Sequence, residues 1–274
     1  TMMKKFIYVI VAGWIALSMH ACREMDLTPK GLLGEDELFG NEGGAAKFLS
    51  GLYSYMPVED FVYHPERGFR WDNYWQNSET LASMSGEMTG QFWGVAGARG
   101  FGYWPYDHIR TINTLIAGLP KYQENFSEEV YKQVLGEAHF LRAFYYFAMA
   151  KRYGGIPIIR DVQDITATPE VLNVHRDKEA DVYRFIQEDL SFAIANMQAV
   201  TEVGRANKYV AAALMSRAML YAGSIAKYGG YSNFTGDAVE QGLVGIPIGE
   251  AEWFFQQSYE ASTLIASGPY SLYN

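Results

Sequence analysis

Apolar positions recur at helical spacing through most of this chain and lose that period in one long stretch. Phe48, Leu49, Leu52 and Tyr53 share one side of a helix predicted over residues 45–56, and Tyr106, Ile109, Ile112, Leu115 and Ile116 share one over 105–119. The clearest run starts at Ser127, an N-cap residue type followed by Glu128 and Glu129, which complement the helix dipole in the first turn. Val130, Val134, Ala138, Leu141, Tyr145 and Met149 then fall on one face, and Phe140, Phe144 and Phe147 on the next. Only Arg142 is charged between Phe140 and Ala150, so this helix lies between neighbours. Gly154 and Gly155 supply its stop, and Pro157 prevents its resumption.

Two amphipathic helices follow. Residues 177–197 carry Val182, Phe185, Ile186, Leu190, Ala193, Ile194 and Met197. Residues 207–228 carry Ala211, Ala212, Ala213, Ala218 and Ala222, small side chains that let helices approach closely. Gly229 and Gly230 are expected to end that helix as Gly154 and Gly155 end the earlier one, and a last helix covers 250–267. The pattern is mainly α: helical hairpins without a strict repeat of about 34 residues, tetratricopeptide-like pairs being the nearest type. Residues 57–102 depart from it. Glycines and aromatics alternate there without period, which predicts irregular loops with short helical turns.

At the N-terminus Lys4 and Lys5 precede an apolar run of 12 residues, Phe6 to Leu17, and then the single cysteine, Cys22. That run is shorter than the roughly 20 residues a spanning helix needs and fits a secretory signal peptide. Cys22 stands where a bacterial lipobox places the acylated cysteine, although Met19 and His20 occupy positions where Leu and a small residue are usual. The expected organisation is a lipoprotein signal peptide over 1–21, a lipid-anchored extended tether over 22–40 and a helical domain over 41–274. Loss of the two leader lysines takes the net charge from −9 to −11, which argues against nucleic acid and against electrostatic binding to anionic lipid. Acyl chains anchor without a spanning helix. Glu24 and Asp26 follow Cys22 as an acidic hint of surface export. At 49% hydrophobic and 19% charged residues, the chain can bury a sizeable core.

The stretch HFLRAFYYFAMAKRYGGIPIIR, residues 139–160, resembles the signature helix of the SusD/RagB family of nutrient-binding outer-membrane lipoproteins. Tyr106, Ile109 or Ile112, and Asn113 are similar to that family's Tyr-x-x-Ile-x-x-x-Asn helix, residues 208–223 to its Ala-rich helix, and Ser267, Gly268, Tyr270 and Leu272 to its Ser-Gly-x-Tyr-x-Leu ending. None of these is specific alone; their order together with the anchor is. The resemblance implies a SusD-like fold, tetratricopeptide-like hairpins with loop-rich insertions. It also implies capture of glycan or another nutrient for a TonB-dependent (SusC-like) transporter, and an outer-membrane, cell-surface location. Members of the family are considerably longer, so the chain is expected to be incomplete at its C-terminus.

No catalytic arrangement stands out. His20, His64, His108, His139 and His175 lack ligand spacing, no Gly-x-Ser-x-Gly elbow is present, and no metal or cofactor is expected. Glu137 and His139, two apart on a helix, point to different faces. Arg142 is expected as a buried structural partner of a carboxylate or helix C-terminus. The glycines at 94, 97, 100 and 102 lack the Gly-Lys-Ser/Thr of a phosphate loop.

The candidate site is aromatic. Four of the six tryptophans, Trp71, Trp75, Trp93 and Trp104, fall within residues 71–104, with Tyr63, Tyr74, Phe92 and Tyr103 among or beside them. Sugar C–H faces stack on such rings, and hydroxyls need directed polar partners. Trp71, Tyr74, Trp75 and Trp93, with Arg70, Asn73 and Asn77, are the candidate ligand-binding residues; Trp104, at a helix start, is the more readily explained by packing. The alternative function is a tetratricopeptide-like scaffold binding peptide or protein, which would carry its exposed aromatics along a helical groove. A lipid-anchored hydrolase is a third, requiring two converging carboxylates.

Overall fold

The computed structural model describes residues 34–56, 62–64, 68–70, 103–231 and 233–271, the strand residues 62–70 and Tyr231 by backbone alone. Helices dominate: α1 (Glu35–Phe39), α2 (Glu42–Ser54), α3 (Tyr106–Gly118), α4 (Glu128–Tyr153), α5 (Pro169–Leu172), α6 (Glu179–Asn196), α7 (Lys208–Tyr228), α8 (Asp237–Glu240) and α9 (Ala251–Ala266). A two-stranded antiparallel hairpin, β1 (Val62–His64) and β2 (Gly68–Arg70), sits between α2 and α3 in sequence, with Tyr63 opposite Phe69.

Helix α4 is the centre. It packs along α6 on one side and against α2 and α3 on the other; α6 packs on α7, and α7 on α9. The result is an array of antiparallel pairs with one continuous core. The ends of α4 follow from its sequence. The Ser127 hydroxyl accepts a hydrogen bond from Val130 N, Lys151 and Arg152 occupy the last turn, and Gly154 takes φ +69°, open to glycine at little cost. Its 26 residues run about 39 Å. The predicted helices over 45–56, 105–119, 177–197, 207–228 and 250–267 are all present, with ends shifted by a few residues.

Beyond Gly154 the chain passes through the buried Gly155 and Ile156, and three of its N–H groups there are bonded. Gly155 N donates to Leu243 O at 2.7 Å, Ile158 N to the Asp177 carboxylate at 2.7 Å, and Ile159 N to the Tyr146 hydroxyl at 2.8 Å. Arg176 donates to Gly155 O and Tyr153 O. A Cβ on Gly155 would lie 2.1 Å from Asp177 O, so only glycine fits there.

Two buried charge clusters tie the layers. The Arg142 guanidinium, on α4, grips both carboxylate oxygens of Asp189, on α6, at 2.8 Å each, and donates to Asn113 Oδ1, on α3, at 2.8 Å. His139 Nδ1 lies 2.6 Å from the same carboxylate. Asn113 in turn donates to Ile159 O. Glu137, on the opposite side of α4, is held by Arg205 at 2.6 and 2.8 Å, by the Tyr53 hydroxyl at 2.7 Å and by Gln133 at 2.7 Å. The separate faces expected for Glu137 and His139, and the carboxylate expected for Arg142, are both found.

Three expectations are corrected. The end of the supposed tether, residues 35–39, is helical: Glu35, Asp36 and Glu37 favour its N-terminal dipole, and Phe39 is buried edge-on to Phe48 at 5.1 Å. The stretch expected to hold only loops and helical turns contains the hairpin. Gly229 stays right-handed at φ −59° and leads into a 3₁₀ turn, Gly229–Tyr231, so the two Gly-Gly stops are not alike. The signal peptide and Cys22 lie outside the described residues.

Burial alone would raise the Asp189 carboxyl; hydrogen bonds from Arg142 and His139 outweigh it and hold the group below the usual carboxylate range. A carboxyl depressed on folding stabilises the protein above its unfolded value, about 3.9, and ceases to as pH falls through its lower folded value. Arg142→Ala is therefore expected to lower the unfolding free energy at pH 7 by about 3–5 kcal/mol, because it strands a buried carboxylate. Urea titrations followed by circular dichroism should also show the variant losing less stability than the wild type below about pH 4. Gly155→Ala is expected to cost at least about 3 kcal/mol by the same measurement, since the obstructing atom is backbone.

Candidate functional site

The residues that flank the aromatic-rich stretch 57–102 pack on a core of tyrosines. Tyr145, at the middle of α4, is fully buried and donates its hydroxyl to Leu52 O at 3.1 Å. The stretch leaves α2 beside Tyr55, whose ring stacks on His108 of α3 at 4.7 Å, and His108 meets Tyr145 at 5.6 Å. It returns at Tyr103, which stacks on the same Tyr145 at 6.4 Å and 11°. Tyr103 N donates to the Tyr153 hydroxyl at 2.8 Å, and the Arg152 guanidinium lies 5.3 Å from the Tyr103 ring. Both stems are thus referred to one buried side chain.

Around that base two large rings face outward. Tyr55 is 60% exposed and Trp104 51% exposed. Trp104 packs tilted over Tyr106 at 5.0 Å and edge-on to Tyr153 at 5.1 Å, leaving about half of its surface open. Tyr106 is fixed in turn by donation to Pro157 O at 2.5 Å. Burial pushes the hydroxyls of Tyr106, Tyr145 and Tyr146 well above the ordinary phenol range, so they stay protonated donors and supply no base.

Of the residues singled out from sequence, Trp71, Asn73, Tyr74, Trp75, Asn77 and Trp93 lie outside the described residues. Arg70 ends β2, with its backbone described and its side chain outside. Trp104 is placed, at the foot of the stretch. Tyr55, His108 and Tyr145 were not singled out for the site. Tyr145 carries only the core signal of its helix, and nothing in the period of α2 or α3 says that a ring from each converges on it.

The chemistry available elsewhere is structural. His139 and Asp189 form a close pair, but both Asp189 oxygens are already held by Arg142, and the His139 ring lies 4.1 Å from Phe192 with no hydroxyl or thiol on its other nitrogen among the described residues. No group of three His, Cys, Asp or Glu residues among the described ones could hold a metal ion.

Comparison with known proteins adds three findings. Residues 64–220 match a SusD-like family described as starch-binding and associating with the outer membrane. A SusD-like protein of Bacteroides ovatus is 29% identical over 117 residues, 42% of this chain and 21% of that protein; SusD-like protein P2 of Formosa agariphila is 25% identical over 208 residues, 70% of this chain and 38% of that one. The crystal structure of a SusD-like protein from Bacteroides fragilis superposes with a TM-score of 0.57 at 21% identity, over 90% of this chain and 42% of its own. The chain therefore spans less than half the length of these relatives. The helical, tetratricopeptide-like fold is shared.

Tyr145→Phe removes one hydrogen bond and is expected to cost about 0.5–1.5 kcal/mol in urea unfolding. Tyr145→Ala removes the surface on which both stems rest and is expected to cost about 3–5 kcal/mol. Equal losses would reduce the role of Tyr145 to its hydroxyl.

Proposed function

The chain belongs to the SusD-like family, and we propose from that premise that it binds an oligosaccharide by stacking and hydrogen bonding, without any covalent step. The observation that carries this reading is the concentration of Trp71, Tyr74, Trp75 and Trp93 in a stretch whose stems both rest on Tyr145 and whose foot exposes Tyr55 and Trp104. Aromatic faces take the C–H faces of sugar rings, while Arg70, Asn73 and Asn77 supply directed donors and acceptors for hydroxyls. Sites on loops held by a rigid scaffold are the common arrangement for binding. The family's description as starch-binding supports a glycan over other nutrients.

The same reading places the protein at the outer membrane. Acylation of Cys22 anchors it to the cell surface, and the tether lets it present ligand to a TonB-dependent, SusC-like transporter. A second reading, peptide capture by the helical scaffold, is kept by one observation. On α7, Leu220 and Tyr221 are 50% and 40% exposed, with Tyr221 edge-on to Phe147 of α4 at 5.4 Å.

Affinity electrophoresis of the chain from Arg23 onward through gels cast with a panel of polysaccharides tests the proposal. Retardation by at least one glycan class is expected. Trp75→Ala should weaken it about ten-fold, on the order of 1–2 kcal/mol, with circular dichroism unchanged. A folded protein retarded by no glycan would shift the function to peptide, and joint loss of binding and helix content would make Trp75 a packing residue.

A further inference from the structure

A groove of about 880 Å³ opens between the C-terminal end of α7, the start of α6 and the loop after α8. Its walls are apolar: Ile225, Val244 and Ile246, with Tyr228 and Phe234 at the open side. At its floor is one charge, Glu179, only 5% exposed. Among the described residues the Glu179 carboxylate accepts a single hydrogen bond, from Gly245 N at 2.6 Å, and makes no ion pair. Arg176 acts on it through space, but that guanidinium is bonded to Gly155 O and Tyr153 O. The flanking lysines make no ion pair with it among the described residues: the Lys178 stem lies beside Gly242, and the Lys227 ammonium lies 5.5 Å from the Tyr228 ring.

The one buried charge on the groove's described lining is the Glu179 carboxylate. Phosphates and carboxylates are excluded by like charge. A neutral glycan would find few directed polar partners, Ser224 and Glu179 being the only polar side chains besides the Tyr228 hydroxyl among the described residues of the lining. What fits is a cationic head that pairs with a desolvated carboxylate, on an apolar body that fills the aliphatic wall and meets the Tyr228 or Phe234 ring. We propose that this groove is a second binding site, for small ligands bearing an amidinium, guanidinium or primary ammonium group on an apolar stem, with Glu179 as counter-ion. It is independent of the glycan site.

The probe is benzamidine, with uncharged benzamide as its near-isostere, titrated into the folded chain and followed by calorimetry. Saturable binding of benzamidine at roughly millimolar Kd is expected, with benzamide at least about ten-fold weaker. Glu179→Gln should weaken benzamidine about ten-fold or more. Because that substitution could loosen the 242–245 loop, Ser224→Arg is the second variant. It places a guanidinium in the groove and should abolish binding while leaving the Gly245 bond to Glu179 in place. No saturable binding, equal binding of benzamide, or benzamidine affinity unchanged in both variants would overturn the proposal. Arginine amide and glucosamine, compared next, separate a peptide side chain from an amino sugar as source of the cation; weaker binding of both than of benzamide would also overturn it. Polysaccharide retardation is expected to be unchanged in Glu179→Gln, so failure of one site is distinguishable from failure of the other.

Discussion

A guanidinium and a carboxylate, both removed from water, hold this scaffold where three helices meet. Arg142 reaches Asp189 with two parallel bonds and Asn113 with a third, so α4, α6 and α3 are referred to one planar group. Desolvating such a pair is expensive, and an apolar replacement of similar volume can be as stable. What the pair supplies is direction. The fork closes only when Asp189 stands opposite Arg142, and sliding one helix by a residue along the other would leave two buried charges unpaired. Apolar contacts between Phe, Leu and Ala faces tolerate small slips that this group does not.

The register so fixed determines where the aromatic stretch is mounted. Tyr145 sits three residues beyond Arg142 on α4, and Asn113 five beyond His108 on α3. Arg142 and Asn113 are bonded to each other, and His108 and Tyr145 are in ring contact. The polar contact and the aromatic contact are successive rungs of the same α3–α4 seam. Tyr55 and Tyr103, which begin and end the insertion, rest on the second rung. The placing of the two stems thus follows from a charge pair about one helical turn away.

Much of this was legible in sequence because the signals are local. The Ser127 cap, the Phe140–Ala150 run and the Gly154 stop each act within a few residues, and α4 begins and ends where they say. That Arg142 is buried and structural was also legible, since an isolated charge in so apolar a face requires a partner, a carboxylate or a helix C-terminus. Which acid was not: Asp189 lies 47 residues on and is an ordinary position on an amphipathic helix. Helix α1 escaped notice because five residues are too few to show a period, and its stability comes from Phe39 lying against α2 and Gly118. The aromatic site was legible as composition alone. Rings without period carry no information about which of them faces a ligand. The groove at Glu179 was invisible, because its walls come from two helix ends and a loop that are far apart in sequence.

In the proposed function, binding without a covalent step, affinity comes from surfaces that need no rearrangement. The two populations of aromatic residues reflect that. Those at helical spacing on α4 and α6, such as Tyr145, Tyr146 and Phe185, are buried and set geometry. Those at the foot of the insertion, Tyr55 and Trp104, keep about half or more of their surface open. An open ring is useful only if its angle is fixed, and each open ring is braced by one of the buried ones or its partners: Tyr55 through His108 onto Tyr145, and Trp104 by Tyr106 and Tyr153. Glu179 shows the same logic in polar form, a single acceptor held still by Gly245 N in an apolar wall. The two places select on different properties. In the two proposals, rings with amide partners would read the shape and hydroxyls of a neutral ligand, whereas a desolvated carboxylate would read charge, so one scaffold could hold both without their ligands competing.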